Sequence, residues 1–166
     1  MSSAQLIFPN LDGLVSHVSR IRRGGGTIVF TNGVFDLFHL GHLDSLRRAK
    51  AEGDFLVVGV NSDESVRRLK GPGRPILPLD QRMRVVAAIE FVSAVTPFDT
   101  DTPAELIKAV APDVLVKGGQ YDIPDIVGHD VVQARGGRVL SLPLLTGYSS
   151  TGLIEKIKER FAGEQA

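Results

Sequence analysis

The sequence predicts an α/β domain with a doubly wound, mainly parallel sheet and helices on both faces. Three observations carry that expectation. Short apolar, β-branched runs alternate with segments of helical periodicity along nearly the whole chain, the pattern of repeated βαβ units. The run Phe55-Leu56-Val57-Val58-Gly59-Val60 is apolar without alternation, as a strand covered on both faces must be. The residues with chemistry to offer cluster just after the strands, where ligands bind in such sheets.

Taken in order, Leu11 to Arg23 carries Leu11, Leu14, Val15, Val18 and Ile21 on one stripe, with Asp12 early and Arg22 and Arg23 late, a helix with charges matched to its dipole. Gly24-Gly25-Gly26 stops it. These glycines precede a strand, whereas a dinucleotide fingerprint places its glycines after one. Thr27 to Thr31 is a buried strand, and from Gly41 to about Ala51 the spacing of Leu43, Leu46 and Ala49 predicts a helix. After the Phe55–Val60 strand, Ser62 or Asp63 caps a short helix over Glu64 to Leu69. Lys70 to Pro78 is rich in helix breakers and reads as a surface loop. Asp80 to Phe91 is helical, Val92 to Pro97 a strand, and Thr102-Pro103 starts a helix through Val110 with proline in its first turn. Asp113 to Lys117 is a strand, Gly118 to Tyr121 a turn, and Ile126 to Ala134 a helix. Arg138 to Leu142 is the last strand and Ser150 to Phe161 the last helix. Gly163 to Ala166 reads as a frayed end.

At 166 residues the chain is expected to form a single domain over 1–166, with a core over about 27–158 and the helix at 11–23 added to it. A formal net charge of zero argues against a nucleic-acid surface held by bulk electrostatics. No apolar run approaches the ~18–20 residues needed to cross a bilayer, so no membrane partner is expected. Met1 to Asn10 lacks a basic-then-apolar export pattern, and there is no cysteine for disulfides, thiolate chemistry or cysteine-ligated zinc. These features fit a cytoplasmic protein. A small anionic ligand remains open, because a pocket needs local charge only.

The segment Thr31-Asn32-Gly33-Val34-Phe35-Asp36-Leu37-Phe38-His39-Leu40-Gly41-His42 joins strand to helix and carries the strongest signal. Two imidazoles three residues apart at a helix start lie on one side of it. Free backbone N–H groups and the helix dipole already favour an anion there. His39 and His42 therefore read as donors to phosphate. Zinc sites on helices prefer a His pair at i,i+4 with a glutamate, and that pattern is missing. Gly41 lets backbone approach phosphate. Asp36 reads as holding the loop by bonding backbone amides, the alternative being a carboxylate facing magnesium. The hydroxyls Ser149, Ser150 and Thr151 open the last helix and exceed what capping needs, which suggests a second phosphate contact. Arg67, Arg68, Lys70 and Arg74 surround the breaker-rich loop, a candidate lid whose charges close on phosphate, with Arg82 able to join them. Lys117, at a strand end before Gly118 and Gly119, is a candidate ligand group.

These residues resemble a known family. Gly33-x-Phe35-Asp36-x-x-His39-x-Gly41-His42 resembles the signature of the cytidylyltransferase-like nucleotidyltransferases, and its His-x-Gly-His end is similar to the HIGH motif of class I aminoacyl-tRNA synthetases. Val60 to Asp63, Arg68 to Gly71, Arg74-Pro75, Gln81 to Met83 and Asp113 to Gly119 resemble the heptose 1-phosphate adenylyltransferase branch, over about Thr27 to Lys158. Val34 stands where that branch usually has cysteine, and Gln120 where an acidic residue is expected. The resemblance implies a Rossmann-like nucleotidyltransferase fold. It also implies transfer of AMP from ATP, with Mg²⁺ carried by the nucleotide, onto a heptose 1-phosphate, as a homodimer. GTP- or CTP-dependent transfer and glycerol-3-phosphate cytidylyltransferase activity are the alternatives. Leu144-Leu145-Thr146 lacks the arginine usual in the latter. By resemblance the catalytic group is His39, His42, Lys70 and Arg82. Nucleotide contacts fall to Thr31, Asn32, Gly33, Phe35, Asp36, Gly41, Asn61, Lys117, Gly118, Ser149, Ser150 and Thr151. Asp63, Arg68, Arg74 and Tyr121 are left for the sugar phosphate.

Overall fold

The computed structural model describes residues 7–162, so the expectation for Gly163 to Ala166 lies outside the described residues. The elements follow in order as α1 Leu11–Arg23, β1 Ile28–Gly33, α2 Leu40–Lys50, β2 Phe55–Asn61, α3 Asp63–Lys70, α4 Leu79–Ala87, β3 Ala94–Phe98, α5 Ala104–Val110 and β4 Val114–Gly118. A short 3-10 turn at Ile123–Asp125, then α6 His129–Gln133, β5 Arg138–Leu142 and α7 Ser150–Phe161 complete the chain. The sheet order is β3-β2-β1-β4-β5, every neighbouring pair parallel. The chain starts in the centre, builds out to one edge, then crosses to build the other. The reversal falls between β1 and β4, which opens a crevice at their C-terminal ends.

The uninterrupted apolar runs now have their cause. Successive strand residues point to opposite faces, and both faces are covered. Val29, Leu56, Val58, Val60 and Val116 meet Leu46 and Ala49 of α2 and Val86 of α4. Ile28, Phe30, Val57 and Leu115 meet Leu14 and Val18 of α1, Leu106, Ile107 and Val110 of α5, and Val132 of α6.

Three elements depart from the sequence expectation. The helix expected to reach Phe91 ends at Ala87. Two tight turns, Ile89 N–H to Val86 and Val92 N–H to Ile89, then drive Val92 into the core, and Ser93 Oγ accepts from Leu56 N. Pro103 sits at the N-cap of α5 rather than in its first turn, and no side chain caps that end. The helix expected over Ile126 to Ala134 is broken at Gly128, whose φ is 85°. A Cβ there would lie 2.9 Å from the Ile107 side chain, so close packing on α5 requires glycine and forces the break.

At the other end of α5, Ala111 adopts a left-handed φ of 47°, held by Arg22 Nη2 donating to the carbonyls of Val110 and Ala111. An L side chain there costs energy that glycine does not. Ala111→Gly is expected to stabilise the protein by up to about 1 kcal/mol in denaturant titration. A destabilised variant would show that this conformation is unstrained.

Candidate active site

The site is built where β1 hands over to α2. Asp36 occupies the middle of the connecting loop, flanked by Phe35 at φ 52° and Leu37 at φ 50°, two L residues in the left-handed region. The Asp36 side chain is fully buried and accepts from Arg74 Nε at 2.8 Å, Ile76 N at 2.8 Å and Leu77 N at 3.0 Å. Burial alone would raise its carboxyl. The two amides and Arg74 outweigh burial and hold it below the usual carboxylate range. Asp36 is thus an anchor, and the amides it bonds belong to the breaker-rich segment after α3.

That segment is therefore tethered rather than a free lid. Asp36 holds Arg74, Ile76 and Leu77, and Arg82 Nε donates to Leu77 O at 3.0 Å. Arg82 itself, expected among the catalytic cations, has no solvent-exposed surface. It also donates to Val34 O at 2.6 Å, Asn61 O at 2.8 Å and Asp63 at 2.7 Å. Four of the five guanidinium N–H groups are thus engaged away from the cleft. Arg82 fastens three loops together, and Asp63 serves as its counter-ion. Arg68, expected at the sugar phosphate, pairs with Asp101 at 2.6 Å and Asp99 at 3.8 Å on the surface, and Arg67 pairs with Glu64. Asn61 is buried with its amide donating to Ser65 Oγ. Thr31 is buried, Gly33 sits beneath the Phe35 ring and Gly118 beside Leu144. These residues shape the strand ends without lining the cleft.

His39 is the N-cap of α2, its ring accepting from His42 N at 3.4 Å through Nδ1. With Nδ1 accepting, the neutral ring carries its proton on Nε2. The two imidazoles stack 3.8 Å apart with an interplanar angle of 18°, and the rings of Phe35 and Phe38 both pack against His42. Burial first, and then His39, push His42 down to about 4, against a small opposing pull from Asp36. His42 is therefore neutral at physiological pH. Its Nδ1 is buried with no partner among the described residues, an unmet donor or acceptor in a place that favours anions. A Cβ on Gly41 would lie 3.1 Å from the His39 ring and 3.2 Å from Tyr148 Cβ. Packing adds a reason for glycine to the one expected from phosphate approach.

The start of α7 closes the other side. Ser149 caps it, accepting from Gly152 N at 3.0 Å, and Ser150 Oγ donates to Asp36 O, which pins this helix start to the motif loop. Two helix N-termini thus converge on a cleft of about 300 Å³ lined by His39, His42, Lys70, Arg74 and Ser149 to Thr151. Ser45, Leu144 and Tyr148 line it as well. Ser45 lies one helical turn from His42, so its spacing could have announced it. Nothing in the sequence marks Leu144.

A smaller pocket opens at the β1/β4 crevice, lined by Asn32, Lys117, Tyr121 and Asp125 among others. Lys117 is mostly buried. Desolvation first, and then the charge of Lys70, push its ammonium below the usual lysine range. The Tyr121 ring lies 6.0 Å from its Nζ and packs so closely on Gly119, φ 134°, that a Cβ there would clash at 2.1 Å. Ser141 fixes this turn, donating to Gly119 O and accepting from Tyr121 N. The charge of Lys70, on the wall of the larger cleft, acts on Lys117 in the smaller pocket, and neither has an ion-pair partner among the described residues. Anionic groups of a ligand would relieve that repulsion. No group of three or more His, Cys, Asp or Glu among the described residues could hold a metal ion, and no described helix is long and apolar enough to cross a membrane.

The cytidylyltransferase-like family model matches residues 30–156. The chain is 57% identical over 148 residues to the "Bifunctional protein HldE" of Halorhodospira halophila, covering 89% of this chain and 31% of that protein. Against the protein of the same name from Alcanivorax borkumensis it is 49% identical over 160 residues, 96% of this chain and 32% of that protein. The chain thus spans about a third of the length of these relatives. Among solved structures, the lipopolysaccharide core biosynthesis protein from Thermoplasma volcanium superposes with a TM-score of 0.60 at 27% identity, over 75% of this chain and all of that one. A pantoate-beta-alanine ligase from Francisella tularensis, at 14% identity and a TM-score of 0.58 over 97% of this chain and 79% of that one, shares the fold alone.

Proposed function

The chain belongs to the cytidylyltransferase-like family, and on that premise we propose that it transfers AMP from ATP to D-glycero-D-manno-heptose 1-phosphate, releasing pyrophosphate and giving ADP-heptose. The observation that carries this reading is the convergence of the stacked His39–His42 pair, Lys70 and the hydroxyls of Ser149 to Thr151 on one cleft. The length shared with two proteins named HldE and the likeness to a lipopolysaccharide core biosynthesis protein support the sugar-phosphate acceptor.

The chemistry suits such a cleft. A sugar phosphate is largely dianionic at neutral pH, its second pKa being ~6, so no general base is needed. One of its phosphate oxygens attacks the α-phosphorus of the triphosphate. A P–O bond to the acceptor forms as the bond to the bridging α,β-oxygen breaks, and pyrophosphate leaves with the electron pair. The protein's task is to align the attack and offset charge on the leaving group. The neutral His39 ring, with Nε2–H free, can donate toward that charge, as can Lys70 and the N-termini of α2 and α7. Mg²⁺ is proposed to arrive with the triphosphate and supply Lewis-acid neutralisation of the phosphates. Asp36 is held by Arg74 and two amides, and among the described residues no other carboxylate lines the cleft to hold the ion itself. Lys117, whose ammonium feels the charge of Lys70, is proposed to meet the acceptor phosphate.

The absence of cysteine fits the reducing cytoplasm proposed for the enzyme. Half-exposed Ile157 and Phe161 on α7 support its proposed pairing as a homodimer. The decisive experiment is pyrophosphate release across four nucleoside triphosphates and a panel of sugar 1-phosphates and glycerol 3-phosphate. Turnover should be greatest with ATP and a manno-configured heptose 1-phosphate. Preference for CTP with glycerol 3-phosphate, or no turnover with any pair, would overturn the assignment.

A further inference from the structure

Near the end of β4, Lys117 is a cation drawn out of water by burial, and no carboxylate among the described residues pairs with it. What it has instead is an aromatic ring, for its Nζ sits over Tyr121, 6.0 Å from the centroid. A tightly bonded turn holds that ring in place. Gly119 N–H donates to Leu142 O at 2.8 Å, and Ser141 Oγ donates to Gly119 O at 2.7 Å while accepting from Tyr121 N at 2.9 Å. The ring then fills the space a side chain at position 119 would need, since a Cβ there would stand 2.1 Å from Tyr121 Cε2. Tyr121 nevertheless keeps 47% of its surface exposed, so filling the core is not what this turn achieves.

The chemistry of the pair gives the ring a use. The face of a phenol ring carries partial negative charge and attracts an ammonium, more strongly where water is excluded. A carboxylate in the same place would neutralise the lysine and compete with an incoming phosphate. A ring offsets part of the cost of burying the cation, restricts where the flexible lysine stem can point, and leaves the full positive charge for a ligand. We propose that Tyr121 is a positioning residue for Lys117, its ring face holding the ammonium in place for the acceptor phosphate. The inference rests on the transfer reading for the identity of that anion, and on the geometry alone for the contact between the two side chains.

Two variants separate the ring from its hydroxyl, Tyr121→Leu removing the π face and Tyr121→Phe keeping it. In pyrophosphate-release assays with ATP, Mg²⁺ and the heptose 1-phosphate, Tyr121→Leu should raise the acceptor KM by about 3- to 30-fold, the range of one cation–π contact. Its kcat should stay within about twofold, because the contact acts alike in the ground and transition states. Tyr121→Phe should keep the wild-type values. A second readout needs no turnover. In NMR spectra of the full chain with ¹³C-labelled lysine, the Lys117 ε-protons should resonate upfield, through the ring current of residue 121, in the wild type and in Tyr121→Phe. In Tyr121→Leu they should return toward the ordinary lysine position, the resonance being identified by its loss in Lys117→Met. An unmoved Lys117 resonance in Tyr121→Leu would overturn the contact, and an unchanged acceptor KM would overturn its role. A Tyr121→Phe variant as impaired as Tyr121→Leu would overturn it too, assigning the effect to the hydroxyl. Failure of the transfer reading shows separately, as no pyrophosphate release by the wild-type protein with any acceptor, and the resonance comparison then decides the contact by itself.

Discussion

His42→Asn is expected to lower kcat by on the order of 10²–10³, the usual scale for one donor that offsets charge in a transition state. Asparagine keeps a polar group in a smaller volume and leaves His39 free to cap α2. The same variant has a second signature, in stability. Above pH 6.5 the folded and unfolded chains both carry a neutral His42. As pH falls below 6.5 the unfolded chain takes up a proton, which the buried His42 resists until about 4. The unfolded state then binds more protons, so stability falls with pH across that window, by roughly 3 kcal/mol in total from this one group. His42→Asn removes that loss, and its stability should fall less between pH 6.5 and 4 than the wild type's in urea titrations. Asp36, whose pKa is depressed, contributes below that window, its stabilisation being lost as pH drops through its lowered value. Full activity in His42→Asn, or parallel pH curves, would count against the stacked pair as the phosphate-facing centre.

Arg82→Met should destabilise the protein by about 3–5 kcal/mol, the range for removing one partner of a buried ion pair. Met fills much of the same space but leaves the carbonyls of Val34, Asn61 and Leu77 and the Asp63 carboxylate without their donor. Those groups sit on the motif loop, the end of β2 and the loop after α3, so activity should fall along with the melting temperature. Arg82→Lys should fare little better, since an ammonium cannot span acceptors arranged for a planar fork. A variant of native stability whose activity alone is lost would return Arg82 to the chemistry of the cleft.

The order of elements was legible because both cores demand it. Period-2 burial on two covered faces makes strands read as continuous apolar runs, and helices against them need a stripe at 3.6 residues. The bounds of α1, β5 and α7 coincide with those expected from pattern and caps. Where local signals misled, tertiary packing won. Gly128 looked like an ordinary helix position until Ile107 was placed against it, and the end of α4 yielded to the burial of Val92.

The sequence by itself determined the fold class, the family and the group of residues at the cleft: His39, Gly41, His42 and the hydroxyls from Ser149 to Thr151. Each of these lies at a strand-to-helix junction or a helix start, where a local pattern predicts which way backbone amides point. Tertiary structure alone decided which charges reach that cleft. Composition cannot tell an arginine that will be buried among carbonyls from one that will meet a phosphate. Arg82, Arg74, Arg67 and Arg68 all had a claim, and the partners of Arg82, Arg74 and Arg68 come from segments far away in sequence. The carboxylates of Asp36 and Asp63 meet Arg74 and Arg82, while Lys70 in the larger cleft and Lys117 in the smaller pocket stay unpaired among the described residues. That partition depends on distances across the sheet, which no spacing along the chain encodes.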